Sequence, residues 1–415
     1  MLLLKECKKI ARTFVYLIFS ALVILDFLTQ FQNDLFPDNT YCKPVEGVGY
    51  YGEICDPHPE LIMPAATKSL LNNYLNNQFT TYPFGFYRSV KLNSEKSRKI
   101  MMILEKLTGQ TDQELRAAIT NEPESTYDNG ISETYFDYRL PELDIQVDYD
   151  TFLLLMEETD SILGGGSFYA PASLERTFGM VDMTYEQAAA EYDSFVRLDH
   201  VTNGYARLWC DYHGLILGIL PVFLVAAFCT LDRRSKADAV IHSRKTGSFR
   251  IILVRFLALI LMVMLPVLLT AVWGDLLVTR FYPDMQLDHF AMYKYMLIWI
   301  VPELIGVIGI DMLITEVFSG ITAILLQFVW WFHECLTTQL SGDFSVFHLL
   351  LRHNTFHNRE IFMNQLNLFI QNRCFIAGLG IVCMLLTILI YHLKREGKFH
   401  GFRVLHKLFA HQSRA

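Results

Sequence analysis

Residues 251–273, IILVRFLALILMVMLPVLLTAVW, decide the fold. A single charge, Arg255, interrupts an apolar run as long as the ~20 residues a helix needs to cross the hydrocarbon of a bilayer. Similar windows recur at about residues 13–33, 209–231, 292–310, 312–332 and 374–393. The expectation is an all-α membrane protein with six transmembrane helices. The composition, 52% hydrophobic and 19% charged with a mean hydropathy of +0.26, agrees, since a soluble domain usually carries about 25% charged residues.

Charge orients the spans. The formal net charge of -8 hides an asymmetry, because residues 32–208 hold most of the acidic excess and the rest of the chain is net basic. The basic residues gather as Lys5, Lys8, Lys9 and Arg12; as Arg233, Arg234, Lys236, Arg244, Lys245 and Arg250; and as Lys394, Arg395, Lys398, Arg403 and Lys407. Such clusters accumulate on cytoplasmic flanks, and six crossings place all three inside. The expected organisation is an interfacial helix and first span at 1–33 and a mostly helical extracellular insert at 34–207. Spans two to six then occupy 208–393, and a cytoplasmic basic tail fills 394–415. Both termini are then cytoplasmic. The first span reads as an uncleaved anchor, because its apolar stretch outruns a signal-peptide core and no A-x-A-like site precedes Gln32.

The insert carries its own punctuation. Asn93 or Ser94 caps a helix with Ile100, Ile103, Leu104 and Leu107 on one face, and Gly109 closes it. Thr111 with Glu114, and Thr184 with Gln187, have capping-box spacing. Gly164, Gly165 and Gly166 stop the helix that begins near Thr151, and residues 121–149 read as loops or short strands. Cys42 and Cys55 have the spacing for a disulfide closing a loop of about a dozen residues, worth about 3 kcal/mol, or stand as two thiols.

Catalytic signatures do not emerge. The chain has no phosphate-loop motif and no H-E-x-x-H. His353 and His357 are spaced i, i+4 without a third ligand in view and read as a solvated pair. No catalytic and no metal residue is assigned. Charges inside apolar windows are more telling, because each costs at least ~2.5 kcal/mol to insert. Glu303, Asp311 and Glu316 are translocation-path candidates. Glu303 lies about nine residues, or ~14 Å, from either end of its window and either lines a path or pairs with another helix. Asp311 is expected at a tight inside turn between the fourth and fifth spans, and Asp26 toward the outer end of the first, snorkelling to water.

Between the second and third spans, Ser235 can start a helix in which Ala237, Val240 and Ile241 recur on one face while Lys236, Asp238 and His242 look elsewhere. A short amphipathic helix on the cytoplasmic side has the form of an element that docks on a partner, and basic loops also touch lipid headgroups. Leu2 to Arg12 is amphipathic as well and fits the inner interface.

Several stretches together resemble the permease subunits of bacterial ABC exporters of the second type, in the variety with a large extracellular domain after the first span. They are KECKKIARTFVYLIF (5–19), YPFGFYRSVKLN (82–93), TYEQAAAEYDSFVRLDHVTNGYARLWCDYHGLILGILPVF (184–223), LDRRSKADAVIHSRKTGSFRIILVRFLAL (231–259), LLRHN (350–354) and Asn372 with Arg373. The resemblance implies a dimer with a second permease copy or a homologous permease, in the bacterial cytoplasmic membrane. It implies that Ser235, Lys236, Ala237, Val240, Ile241, His242 and Ser243 form a coupling helix at about 235–243. That helix would sit on a separate ABC ATPase subunit, which binds the ATP and Mg, so this chain needs no cofactor. Membrane lipid is the other expected partner, and nucleic acid is not one. Glu303 departs from the family pattern, where a small polar residue is expected after Pro302, and so does the Cys42, Cys55 pair. A membrane-anchored sensor or assembly scaffold with an extracellular ligand-binding domain is the competing class.

Overall fold

The structure is a computed structural model, and it describes residues 2–32, 41–47, 49–83, 87–119, 126–128, 134–136, 140, 142–235, 246–337 and 344–398. Two compact units make up the chain, Pro44–Ala188 and a second formed by Met1–Lys43 with Ala189–Ala415. Both are mostly helical.

In the second unit, α1 (Leu2–Ala11) is a short amphipathic helix and α2 (Phe14–Asp26) follows at once, continuing as a π-helical turn to Phe31. Thr13 makes the corner: its hydroxyl donates to the Ile10 carbonyl at 2.7 Å and accepts the Tyr16 N–H at 3.2 Å, closing one helix and capping the next.

The first unit, Pro44–Ala188, packs α3 (Pro59–Asn76), α4 (Ser94–Thr108), α5 (Asp112–Ala117), α6 (Tyr149–Leu163) and α7 (Pro171–Phe178) around Ile62, Leu70, Ile100, Leu104, Phe152 and Met156. Three short antiparallel pairs edge it: β1 (Glu53–Cys55) with β6 (Met180–Asp182), β2 (Phe79–Thr81) with β3 (Arg88–Val90), and β4 (Thr126–Asp128) with β5 (Thr134–Phe136). The expected caps are present. Asn93, rather than Ser94, accepts the Lys96 N–H at 2.9 Å, and Thr111 and Glu114 form the reciprocal box. Gly109 and Gly164 end their helices with positive φ. Gly166 does more than stop a helix. Its φ is +72°, a Cβ there would lie 2.7 Å from the Tyr82 carbonyl oxygen, and its own carbonyl accepts the Tyr82 N–H at 2.7 Å.

After α8 (Tyr185–Arg197) come α9 (Thr202–Leu217) and α10 (Pro221–Cys229), bent by 42° where Pro221 cannot continue the ladder. The one-turn α11 (Leu231–Arg234) precedes α12 (Ser248–Phe281), whose 34 residues give a length of about 50 Å. α13 (Ala291–Val317), α14 (Gly320–Thr337), the short α15 (Arg359–Asn364) and α16 (Leu366–Arg395) complete the unit. Among the described residues, α2 with its π turn, α12, α13 and α16 are long and apolar enough to cross a membrane, and the bent α9–α10 pair makes a fifth candidate. α14 is apolar but shorter. The chain is a multi-pass membrane protein.

Two expectations change. The insert boundary at 207 falls inside α9, because that helix starts at Thr202, ahead of the apolar window at 209, and its Arg207 is fully buried and paired. The turn between the fourth and fifth windows falls at Phe318 and Ser319, not at Asp311. Hydropathy dips at the aspartate, but the stop is made by Ser319, whose hydroxyl accepts the Thr322 N–H at 3.2 Å as the new helix starts.

Parallel packing of α13 on α16 organises this unit. Gly309 and Gly380 face each other so closely that a Cβ on either would overlap the opposite backbone, the close approach that small residues allow between membrane helices. Residues 44–188 expressed alone are expected to unfold cooperatively in urea. Gly166→Ala should lower their stability by about 2 kcal/mol or more, from the positive φ and the carbonyl clash together.

Candidate functional site: a buried ionic seam

α9, α13, α14 and α16 carry ionisable side chains into the interior, and each has a reason to be there. Glu303, one residue after Pro302 on α13, is 1% exposed and accepts from Arg373 Nη1 of α16 at 2.8 Å. Proline lacks an N–H and crowds the preceding turn, and the helix widens to a π turn at Met296–Ile300 just before it. Arg373 also reaches two carbonyls, Trp299 through Nη1 and Leu349 through Nη2, each at 3.3 Å. Of the two roles open to Glu303, the geometry gives it a partner helix.

Glu316, near the far end of α13, meets Lys394 of α16 at 2.9 Å. Asp311 lies between these pairs, fully buried, with no hydrogen-bond partner for either oxygen among the described residues. The three path candidates thus share one helix, and two of them bind α16. Asp26 does not snorkel: it turns inward, its Oδ2 3.9 Å from Nδ1 of the buried His213, whose Nε2 is 2.9 Å from the Thr270 hydroxyl.

The seam holds a stretch of non-helical backbone, residues 344–358, whose Leu349, Leu350, Leu351 and His353 are buried. Buried peptide groups need partners, and side chains of three helices supply them. Glu334 of α14 accepts from Leu349 N at 3.0 Å, Leu350 N at 3.4 Å and His348 Nδ1 at 3.0 Å. Asn372 of α16 lies 2.7 Å from the carbonyls of Ser345 and His348. Asp211 of α9 takes Arg352 Nε at 2.5 Å and His353 N at 2.6 Å, together with the Asn354 N–H.

His353 and His357 are not the solvated pair expected from their spacing. His353 is buried and lies on this non-helical stretch, its Nε2 3.0 Å from the His357 carbonyl, while His357 lies against the rings of Phe356 and Tyr41. Burial, reinforced by the positive charge of Arg207, pulls both imidazoles down to about 4. Arg207 is fully buried and bidentate to Asp199 at 2.9 and 2.5 Å.

Sequence reasoning missed Asp211, Glu334, Arg352 and the Asp199–Arg207 pair. Asp211 lay within an apolar window and Glu334 just past one, which was the available signal. For the coupling element, Ser235 lies at the C-terminal end of α11, its N–H and hydroxyl both donating to the Leu231 carbonyl at 2.9 Å. Lys236, Ala237, Val240, Ile241, His242 and Ser243 lie outside the described residues. Cys42 and Cys55 stand as exposed thiols, one in each unit, and the Cys55 thiol donates to the Glu175 carbonyl at 3.4 Å.

Arg373→Met strands Glu303 in the interior and should cost about 3–5 kcal/mol, read as lost thermal stability of the detergent-solubilised chain. Adding Glu303→Gln should recover part of it. Acid should loosen the same region. Unfolded imidazoles bind protons near pH 6.5, whereas His353 and His357 bind them only near 4, so the unfolded state holds more protons in between. Their contribution is complete above about 6.5 and is lost as pH falls toward 4. The melting temperature should drop over that window, and more shallowly in a His353→Gln, His357→Gln variant.

Comparison with protein-family models, with curated proteins and with solved structures finds no match to this chain.

Proposed function

We propose that this chain is the membrane-spanning permease subunit of an ATP-driven ABC exporter of the second type. In this reading it acts in the bacterial cytoplasmic membrane as a dimer with a second permease copy or a homologous one. α2, α9 with α10, α12, α13, α14 and α16 are its six crossings, both termini are cytoplasmic, and residues 44–188 form an extracellular domain that guides or receives cargo. A separate ATPase subunit binds ATP and Mg.

The observation that carries the reading is how the basic segment after α11 is tied down at both ends. Asp232 bonds Arg255 of α12, and the Thr246 carbonyl accepts from Arg395 Nη1 of α16 at 2.6 Å. α1, the interfacial helix, packs on α12 as well. In this reading, a push that reaches Asp232 and Thr246 is delivered to α12 and α16. From α16 it passes to α13 through Lys394 and Glu316. That is the lever an exporter needs to turn ATPase closure into movement of its spans. A membrane-anchored sensor or scaffold has no use for it.

Val240→Asp with Ile241→Asp places charge on the apolar face of the coupling element, where burial against a partner is costly. Co-purified ATPase per permease should fall at least tenfold at equal membrane abundance. The flanking Arg233, Arg234, Lys245 and Arg250 that set orientation are untouched. An unchanged ratio, or no ATPase with the wild type, favours the sensor or scaffold.

A further inference from the structure

α13 carries three acids, and the first and last of them are paired with bases of α16. Glu303 has Arg373 and Glu316 has Lys394. Asp311, between them, is 0% exposed with both carboxyl oxygens unpartnered among the described residues. Thr315, 1% exposed, has a hydroxyl in the same condition. Four residues apart on a helix, the two side chains lie on one face. Three buried, unpartnered oxygen atoms within one turn are an unusual concentration in a membrane interior.

The charges on the neighbouring helices are committed elsewhere or lie toward helix ends. α10 brings only Cys229 as a titratable group. α14 has no ionisable residue before His333, and its Glu334 holds Leu349 and Leu350. α16 offers Cys374, Cys383 and Tyr391 besides Arg373 and Lys394, with His392 and Arg395 near its end, and Arg395 binds Thr246. On α12, Arg255 binds Asp232, Asp275 faces His289, and Arg250 and Arg280 lie toward the two ends. On α9, Arg207 is taken by Asp199, Asp211 holds residues 352–354 and His213 meets Thr270, with Cys210 buried beside them. An ionised Asp311 would therefore be a bare carboxylate in an apolar bundle, which membrane proteins avoid.

We propose that Asp311 and Thr315 form a proton-binding site within the membrane. The ligand is a proton: a carboxylate oxygen of Asp311 takes it up to give a neutral carboxylic acid, and the unpartnered Thr315 oxygen, one turn along the same face, is the acceptor offered to the new O–H. Release returns the proton to water once water can reach the carboxyl. Asp311 itself is 0% exposed, two residues along from the close α13–α16 contact at Gly309.

Infrared spectroscopy of the full-length chain in lipid at pH 7 tests this directly. The wild-type minus Asp311→Asn spectrum should show the C=O stretch of a protonated carboxyl, shifted down in heavy water. Asp311→Glu should move that band rather than remove it, which guards against an Asn variant that fails to fold. Thr315→Val should raise its frequency by removing the acceptor. Carboxylate stretches in place of the acid band, in both the Asn and the Glu differences, would overturn the proposal. An acid band unmoved by Thr315→Val would take Thr315 out of the site.

Discussion

A carboxylate in the middle of a lipid-facing bundle has to find its counter-charge inside the protein, and Glu303 finds it in Arg373. The rest of the membrane unit depends on that pairing. It fixes the rotation and height of α13 against α16 at one end, as Glu316 and Lys394 do at the other, and Gly309 on Gly380 closes the middle. Ionic contacts at both ends of a glycine crossing leave the two helices one register, because a shift by a turn would unpair two buried acids and drive side chains into the backbone contact. Arg373 then extends the constraint beyond the pair by donating to the Leu349 carbonyl of the non-helical stretch.

That stretch shows how irregular backbone is kept within a helical bundle. Peptide groups along it are matched to carboxylates and an amide, and the matching residues come from α9, α14 and α16. α9, α13 and α14 meet it with apolar surface, since Leu349 and Leu350 cluster with Leu215, Val307, Trp330 and Trp331. Polar side chains thus frame an apolar plug of backbone. Burial and then the positive charge of Arg207 both disfavour protonation of His353 and His357 beside it.

Much of this was legible in the sequence wherever the constraint is local. Crossing a membrane needs about 20 apolar residues in a row, so α2, α12, α13 and α16 appear in the hydropathy pattern. Caps act over three or four residues, so Asn93, Thr111 and Gly109 mark real helix ends. The α13–α14 break is less legible, because the charge of Asp311 lowers the hydropathy well ahead of the cap at Ser319 that starts the new helix. The seam was not legible, because Asp211 and Arg352 are 141 residues apart and no periodicity links them. Glu303 could be singled out as a buried charge, but its partner on α16 could not. The coupling residues from Lys236 to Ser243 lie outside the described residues, so their assignment rests on sequence resemblance.

The place of α16 in the chain has a consequence for biosynthesis. It is the last of these helices to leave the ribosome, yet it supplies Arg373, Asn372 and Lys394. Until it enters the membrane, Glu303 and Glu316 have no counter-charge, and the 344–358 backbone lacks part of its hydrogen bonding. The preceding helices must therefore wait in an unfinished state with exposed polar groups, the kind of intermediate that quality control recognises. Completion of the bundle is thus timed by the arrival of one helix, and a chain that stops before residue 366 would present the cell with stranded acids rather than a smaller working bundle.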